Sequence, residues 1–208
     1  MGADNAPFTL QAQAGTDIWK KPPTTNIFNA PISRTSTGPL SKFRSARATF
    51  WADWTERYDQ GGLLLVPRRR SAPNPAPASP SSCHEKWIKA GVELYGGAPQ
   101  LSVVSTDRYA DWSVTPLPAP SPTGVTIEIV RETDEHGESV WVYYRVGDSK
   151  DRTPLREICW IFADEQGRGA DDDDEWVLDV SPLVARPEKN CQGTLEVRFS
   201  EFEVEWAA

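Results

Sequence analysis

The chain has 208 residues, 38% of them hydrophobic and 25% charged, with nine Trp, a composition that suits one globular domain over 1–208 and excludes a disordered chain. A formal net charge of -8 argues against a general nucleic-acid or anionic-membrane binder, because phosphate-rich surfaces attract an excess of Lys and Arg. Three scattered cysteines (Cys83, Cys159, Cys191) make no disulfide framework. With no signal-like N-terminus and no membrane-length apolar run, the expected compartment is the cytoplasm or the nucleus.

Eighteen Pro and fourteen Gly punctuate the chain, and the runs between them carry strand patterns. In chain order, strands are predicted at 8–14, 46–51, 61–67, 87–95, 100–106, 125–131, 140–146, 157–163, 176–180 and 195–206. No long amphipathic helix is expected, only a short helical turn after Thr153-Pro154 or after Pro182. Strands at this density predict an all-β fold of two antiparallel sheets packed face to face. Two segments read as insertions: a Pro/Ala/Ser-rich loop at 71–82 and an acidic loop at 166–175, whose like charges keep it solvated. The basic run Arg68-Arg69-Arg70 reads as a solvated flank of the first, and 114–123 as a Pro-rich connection.

Period-two patterning assigns faces. In 87–95, Ile88, Ala90, Val92 and Leu94 form a core face, while Trp87, Lys89, Gly91 and Glu93 share the opposite one. In 140–146, Val142, Tyr144 and Val146 oppose Trp141, Tyr143 and Arg145. In 156–162, Arg156, Ile158, Trp160 and Phe162 alternate with Glu157, Cys159 and Ile161. Aromatic rings beside charged groups on a sheet face suit a polyhydroxylated ligand, because rings stack on C–H faces and polar groups read hydroxyls. The plainer alternative is that the Trp side chains fill a second apolar layer under long loops.

Ordered segments carry a resemblance. Asp17-Ile18-Trp19, Tyr58-Asp59-Gln60-Gly61-Gly62-Leu63-Leu64, Trp87-Ile88-Lys89-Ala90-Gly91-Val92-Glu93, Ser102-Val103-Val104-Ser105-Thr106, Asp111-Trp112-Ser113 and Leu155-Arg156-Glu157 follow one another. Together they resemble the concanavalin A-like, jelly-roll family that includes the fungal regulation-of-enolase protein. The resemblance implies a lectin/glucanase-type sandwich with a concave sheet, a cytoplasmic protein, and a role in modulating a metabolic enzyme. It implies no catalytic mechanism.

Residue chemistry narrows the site. Glycoside hydrolysis needs two carboxyl groups facing one cleft. Glu201, Glu203 and Glu205 have alternate spacing, but Phe202, Val204 and Trp206 take the core face there, so these acids are expected to face solvent. Glu93 is the better acid. Lys89 on the same strand lies about 13 Å along it, too far for a direct pair. A second carboxylate would come from Asp59, Asp107 or Asp111. Alternatively, Glu93 pairs with Arg145 or Arg156 in a structural charge network. Asp59-Gln60-Gly61 reads first as turn chemistry, and Asp111-Trp112-Ser113 as a loop or N-cap element. His84 and His136 lack partners at metal-binding spacings, so no metal or cofactor is expected. The expected ligand-binding residues are Trp51, Gln60, Lys89, Glu93, Trp112, Tyr143, Arg145 and Arg156. The expected ligand is a carbohydrate-like small molecule or a metabolic-enzyme partner such as enolase. A cofactor-free enzyme (glycan hydrolase or lyase, or small-molecule cyclase or isomerase) using Glu93 as acid or base is the alternative, and a scaffold acting through its loops a third.

Overall fold

The structure, a computed structural model, describes residues 6–72, 86–118, 124–166 and 175–208, without the side chains of residues 165 and 166. The expected loops at 71–82 and 166–175 fall mostly outside the described residues, as do Cys83 and His84.

The strands in chain order are β1 (Phe8–Ala12), β2 (Ile18–Lys21), β3 (Thr25–Phe28), β4 (Ser36–Pro39), β5 (Phe43–Ala52), β6 (Gln60–Arg69), β7 (Trp87–Tyr95), β8 (Ala98–Thr106), β9 (Ala110–Pro116), β10 (Val125–Asp134), β11 (Gly137–Val146), β12 (Thr153–Ile158), β13 (Trp176–Ala185) and β14 (Leu195–Trp206). One six-stranded sheet runs β1-β14-β5-β10-β11-β12, a second runs β4-β13-β6-β7-β8-β9, and β2 pairs with β3 in a separate hairpin. All pairings between these strands are antiparallel. The fold is the all-β sandwich of two antiparallel sheets expected from the strand density.

The inner faces follow the alternation of the sequence. Leu63, Leu65, Ile88, Ala90, Val92, Leu101 and Val103 from the second sheet meet Ala46, Ala48, Phe50, Ile127, Ile129, Val140 and Val142 from the first. Burying such a Val, Leu, Ile or Phe side chain stabilises the fold by about 1.5–3 kcal/mol. A second, smaller core lies on the outside of the second sheet. There the β2–β3 hairpin and its continuation lay Ile18, Phe28 and Ala30 over Leu64, Val66, Trp87, Val104 and Leu183. Trp87 is thus one of the Trp side chains that fill a second apolar layer, and its end of β7 is covered on both sides.

Four expectations change. The strand expected at 157–163 spans Thr153–Ile158 and gives way to a turn and the short helix α1 (Ala163–Gln166), so the alternation from Arg156 to Phe162 stops at Ile158, while Ile161 and Phe162 are both buried. The helical turns expected after Thr153-Pro154 and Pro182 are absent, since both prolines sit in strands. Asp111-Trp112-Ser113 forms part of β9, not a loop. Arg68 is no solvated flank: it ends a strand, is buried, and its Nε donates to Asp179 Oδ2 at 2.6 Å. Arg69 lies over the Trp176 ring, and Arg70 pairs with Glu175.

Candidate functional site

The hairpin covers only part of the second sheet's outer face. Beside it remains a cleft of about 600 Å³, walled by Trp19, Tyr58 and Trp112 and by the segment Pro187, Glu188, Lys189 and Asn190, with Asp17, Gln60, Lys89 and Glu93 below. That volume falls in the range of small-molecule sites, roughly 300–1,000 Å³.

Strand register builds the floor. Across β6 and β7, Gln60 faces Glu93, Gly62 faces Gly91, and Leu64 faces Lys89. The glycine pair carries no side chains because there is no room for them: a Cβ on Gly91 would lie 2.0 Å from Gly61 O, and one on Gly62 would lie 2.2 Å from Ala90 O. This close approach leaves a gap of about 10 Å³ between the polar residues on either side, close to the room one water needs.

Two hydrogen-bonded chains order the polar groups. Lys89 Nζ donates to Gln60 Oε1 at 2.7 Å and to Asp17 Oδ1 at 3.2 Å. Gln60 Nε2 donates to Tyr58 O at 3.2 Å. On the other side, Trp112 Nε1 donates to Ser102 Oγ at 3.0 Å, and Ser102 Oγ donates to Glu93 Oε2 at 2.8 Å. Lys89 and Glu93 are each only 6% exposed. Burial raises the Glu93 carboxyl above its ordinary 4.5, against the opposing effects of Lys89 and Ser102, because a low-dielectric site disfavours the charged form. Buried polar groups that retain partners form a rigid, preorganised surface.

Above this floor stands an aromatic wall. Trp112 packs edge-on against Trp19 at 6.2 Å, Tyr58 at 6.2 Å and Tyr95 at 5.0 Å between ring centroids. Tyr58 has φ +68°, a left-handed conformation that costs a bulky residue energy and needs surrounding support. That support is Asp59, fully buried and joined by both oxygens to Arg186 at 2.8 Å. Asp59 Oδ2 also accepts from the amides of Thr55 and Glu56 at 3.1 and 3.0 Å. The Arg186 backbone holds Gly15 and Thr16. One ion pair therefore ties together the segments that present Asp17, Tyr58 and the 187–190 wall.

The structure brings Gln60, Lys89, Glu93 and Trp112 together and separates the rest of the expected set. Trp51, Tyr143 and Arg145 belong to β5 and β11 of the other sheet. There Arg145 pairs with Glu128 at 3.0 Å, and Tyr143 Oη donates to Glu132 Oε1 at 2.7 Å. Arg156 sits on β12 and pairs with Asp111 of β9 at 2.5 Å. The alternation that sets Tyr143 and Arg145 opposite Val142 holds, but alternation does not say which sheet a strand joins. The alternative network of Glu93 with Arg145 or Arg156 is likewise overturned. Nor do the proposed second carboxylates reach the cleft: Asp59 binds Arg186, Asp107 binds Lys86 at 2.7 Å, and Asp111 binds Arg156. Asp17 supplies it instead. As expected, Glu201 and Glu203 lie off the core, where both pair with Arg47. Sequence reasoning also missed Trp19, Tyr58, Ser102 and the 187–190 wall as site residues, although Asp17-Ile18-Trp19 and Tyr58 stood in its shared motifs.

Among the described residues, no group of three or more His, Cys, Asp or Glu is placed to hold a metal ion, and no helix is long and apolar enough to cross a membrane. Cys159 and Cys191 are free thiols.

Comparison with known proteins gives a family-wide match. Residues 3–206 match the family model described as "Protein of unknown function (DUF1349)". The uncharacterized protein AN7484 of Emericella nidulans is 41% identical over 200 residues, covering 96% of this chain and 86% of that protein. A functionally unknown protein from Saccharomyces cerevisiae superposes with a TM-score of 0.69 at 18% identity, covering 98% of this chain and 89% of that one. The GH43 protein BlXynB from Bacillus licheniformis, in mutant form, superposes with a TM-score of 0.52 at 12% identity, over 79% of this chain and 28% of its own. At these identities the structural likenesses concern the fold alone.

Proposed function

We propose, for a chain that belongs to the DUF1349 family of proteins of unknown function, that it binds a small carbohydrate-like molecule in the cleft on its second sheet. The observation that carries this reading is the pairing of aromatic walls, Trp19, Tyr58 and Trp112, with a recessed floor of ordered polar groups. Rings offer stacking faces to sugar C–H groups, and Gln60, Lys89 and Glu93 offer donors and acceptors to hydroxyls. A metabolic-enzyme partner such as enolase is the rival occupant, but the recessed floor is shaped for a molecule that enters the cleft. The experiment is titration of a glucose disaccharide panel (β-1,3, β-1,4 and α-1,4 linked) and of glucose, followed by Trp fluorescence and calorimetry. Saturable binding weakened about tenfold or more in Trp19→Ala supports the reading, tenfold being about 1.4 kcal/mol. No binding by any member removes it.

A second reading has its own support. Burial raises the Glu93 pKa, and Asp17 lines the same cleft. A carboxyl whose pKa is raised by burial, beside a second carboxylate, fits general acid–base chemistry on the bound sugar. Under this reading, Glu93→Gln abolishes turnover of a ligand it still binds. If the variant turns over substrate at the wild-type rate, the acid role is lost and the binding role stands.

A further inference from the structure

The cleft does not end at its aromatic wall. A second hollow of about 400 Å³ is lined by Thr55, Arg57, Leu94, Tyr95, Gly96 and Gly97, and its Tyr95 adjoins Tyr58 of the cleft. Tyr58 and Tyr95 stack at 5.8 Å and 20° to form the ridge between the two spaces. The far side is kept low by the β7–β8 turn, where Tyr95 pairs with Ala98 across Gly96 and Gly97. Both glycines have positive φ, and the space where each would carry a Cβ is empty. A two-residue turn of this kind selects Gly-Gly, and here it also leaves the hollow unobstructed.

The charges of the two spaces differ. The first cleft balances Lys21, Lys89 and Lys189 against Asp17, Glu93 and Glu188. The second is lined by one cation and no acid. Arg57 lies over the Tyr58 ring at 4.5 Å and within 5.9 Å of the Tyr95 centroid. Among the described residues no carboxylate pairs with it. A guanidinium lying over a ring still has N–H groups to offer, and their fork matches a carboxylate with two parallel hydrogen bonds.

We propose that this hollow is a second subsite, and that it seats the acidic unit of a short glycan whose neighbouring unit occupies the cleft. The assignment rests on the carbohydrate reading of the cleft and adds to it a length of at least two units and a charge at one end. The ligand crosses the Tyr58–Tyr95 ridge, stacks there, and places its carboxylate against Arg57.

The test uses each disaccharide of the neutral panel and the same disaccharide with glucuronate at one end, together with glucose and glucuronic acid, titrated into the full chain. A uronate disaccharide is expected to bind about tenfold tighter than its neutral counterpart, the scale of a charge-assisted bidentate contact. In Arg57→Ala, a change at an exposed side chain, the acidic-to-neutral affinity ratio is expected to fall to about one, with Arg57→Lys intermediate. If neutral sugars bind and uronates bind no better, the second subsite is refuted while the cleft reading stands. If the uronate preference survives in Arg57→Ala, the acid sits on the lysines of the first cleft and the assignment is likewise refuted. If no sugar of either kind binds, the cleft reading itself has failed.

Discussion

Removing the Arg186 guanidinium tests whether one buried ion pair organises the cleft. In Arg186→Met, Asp59 stays fully buried and keeps the Thr55 and Glu56 amides as its main partners, with the Thr55 hydroxyl at 3.5 Å. Breaking a buried pair by deleting one partner costs about 3–5 kcal/mol, because it strands a charge in a low-dielectric site. The two amide donors soften that penalty, which places the variant near 3 kcal/mol. For a chain of 208 residues, each kcal/mol shifts Tm by roughly 2–4 °C, so a drop of about 6–12 °C is expected. Calorimetric melts at pH 7 measure it, with urea unfolding as a check that the transition stays two-state. The double variant Asp59→Asn with Arg186→Met is expected to recover part of the loss, since it removes the stranded charge. The ligand readout matters as much: Tyr58 and the 187–190 wall lose their common anchor, so sugar affinity falls in the single variant although neither Asp59 nor Arg186 lines the cleft. A Tm within 2 °C of wild type, or strictly additive single and double variants, would refute the role given to this pair.

Other expectations follow from the same geometry. Glu93 has a folded pKa raised by burial, so above its unfolded value the native state binds more protons than the unfolded one. Its contribution to stability therefore falls as pH rises through the folded value. Glu93→Gln is expected to melt close to wild type below pH 4 and progressively higher than wild type as pH rises toward neutrality. A constant difference across pH 4–8 contradicts the buried-acid assignment. Gly91→Ala drives a Cβ to 2.0 Å from Gly61 O, a backbone atom that cannot swing aside. It is expected to destabilise by about 3 kcal/mol or more, within the range of severe packing errors, and a variant that melts within 3 °C of wild type rules out the close strand approach. Arg156→Ala removes an ion pair whose acid is mostly exposed, so a loss of no more than about 1 kcal/mol is expected by urea unfolding. A larger loss would mean that this contact between sheet edges matters more than its exposure implies.

How much of this was legible in the sequence depends on the physical range of each signal. β7 and β14 were read to their last residue because long runs of alternating apolar residues fix both strand type and face. The hairpin β2–β3 escaped because its strands have four residues each and few apolar positions. β9 escaped for a related reason: it is an edge strand with an exposed face, and Asp111 and Ser113 read as turn residues. Arg68 looked like solvated loop because its partner Asp179 is 111 residues away, and no local pattern announces such a pair.

The site shows the same division. Lys89 and Glu93 could be placed on one face because both lie on a single strand, and Gln60 and Trp112 join them because β6, β7, β8 and β9 are sequence neighbours that pair in order. Trp51, Tyr143 and Arg145 were misplaced because β5, β10 and β11 close the other sheet, and a period of two is blind to sheet membership. What completes the cleft arrives from far along the chain: Asp17 from before the hairpin, and the wall at 187–190 from beyond β13. Both are fastened by Arg186, whose bond to Asp59 spans 127 residues. A binding surface assembled by long-range closure is invisible to local periodicity. The oddity that did mark it in the fold is a tyrosine held at positive φ, a cost the chain bears where the cleft wall must stand.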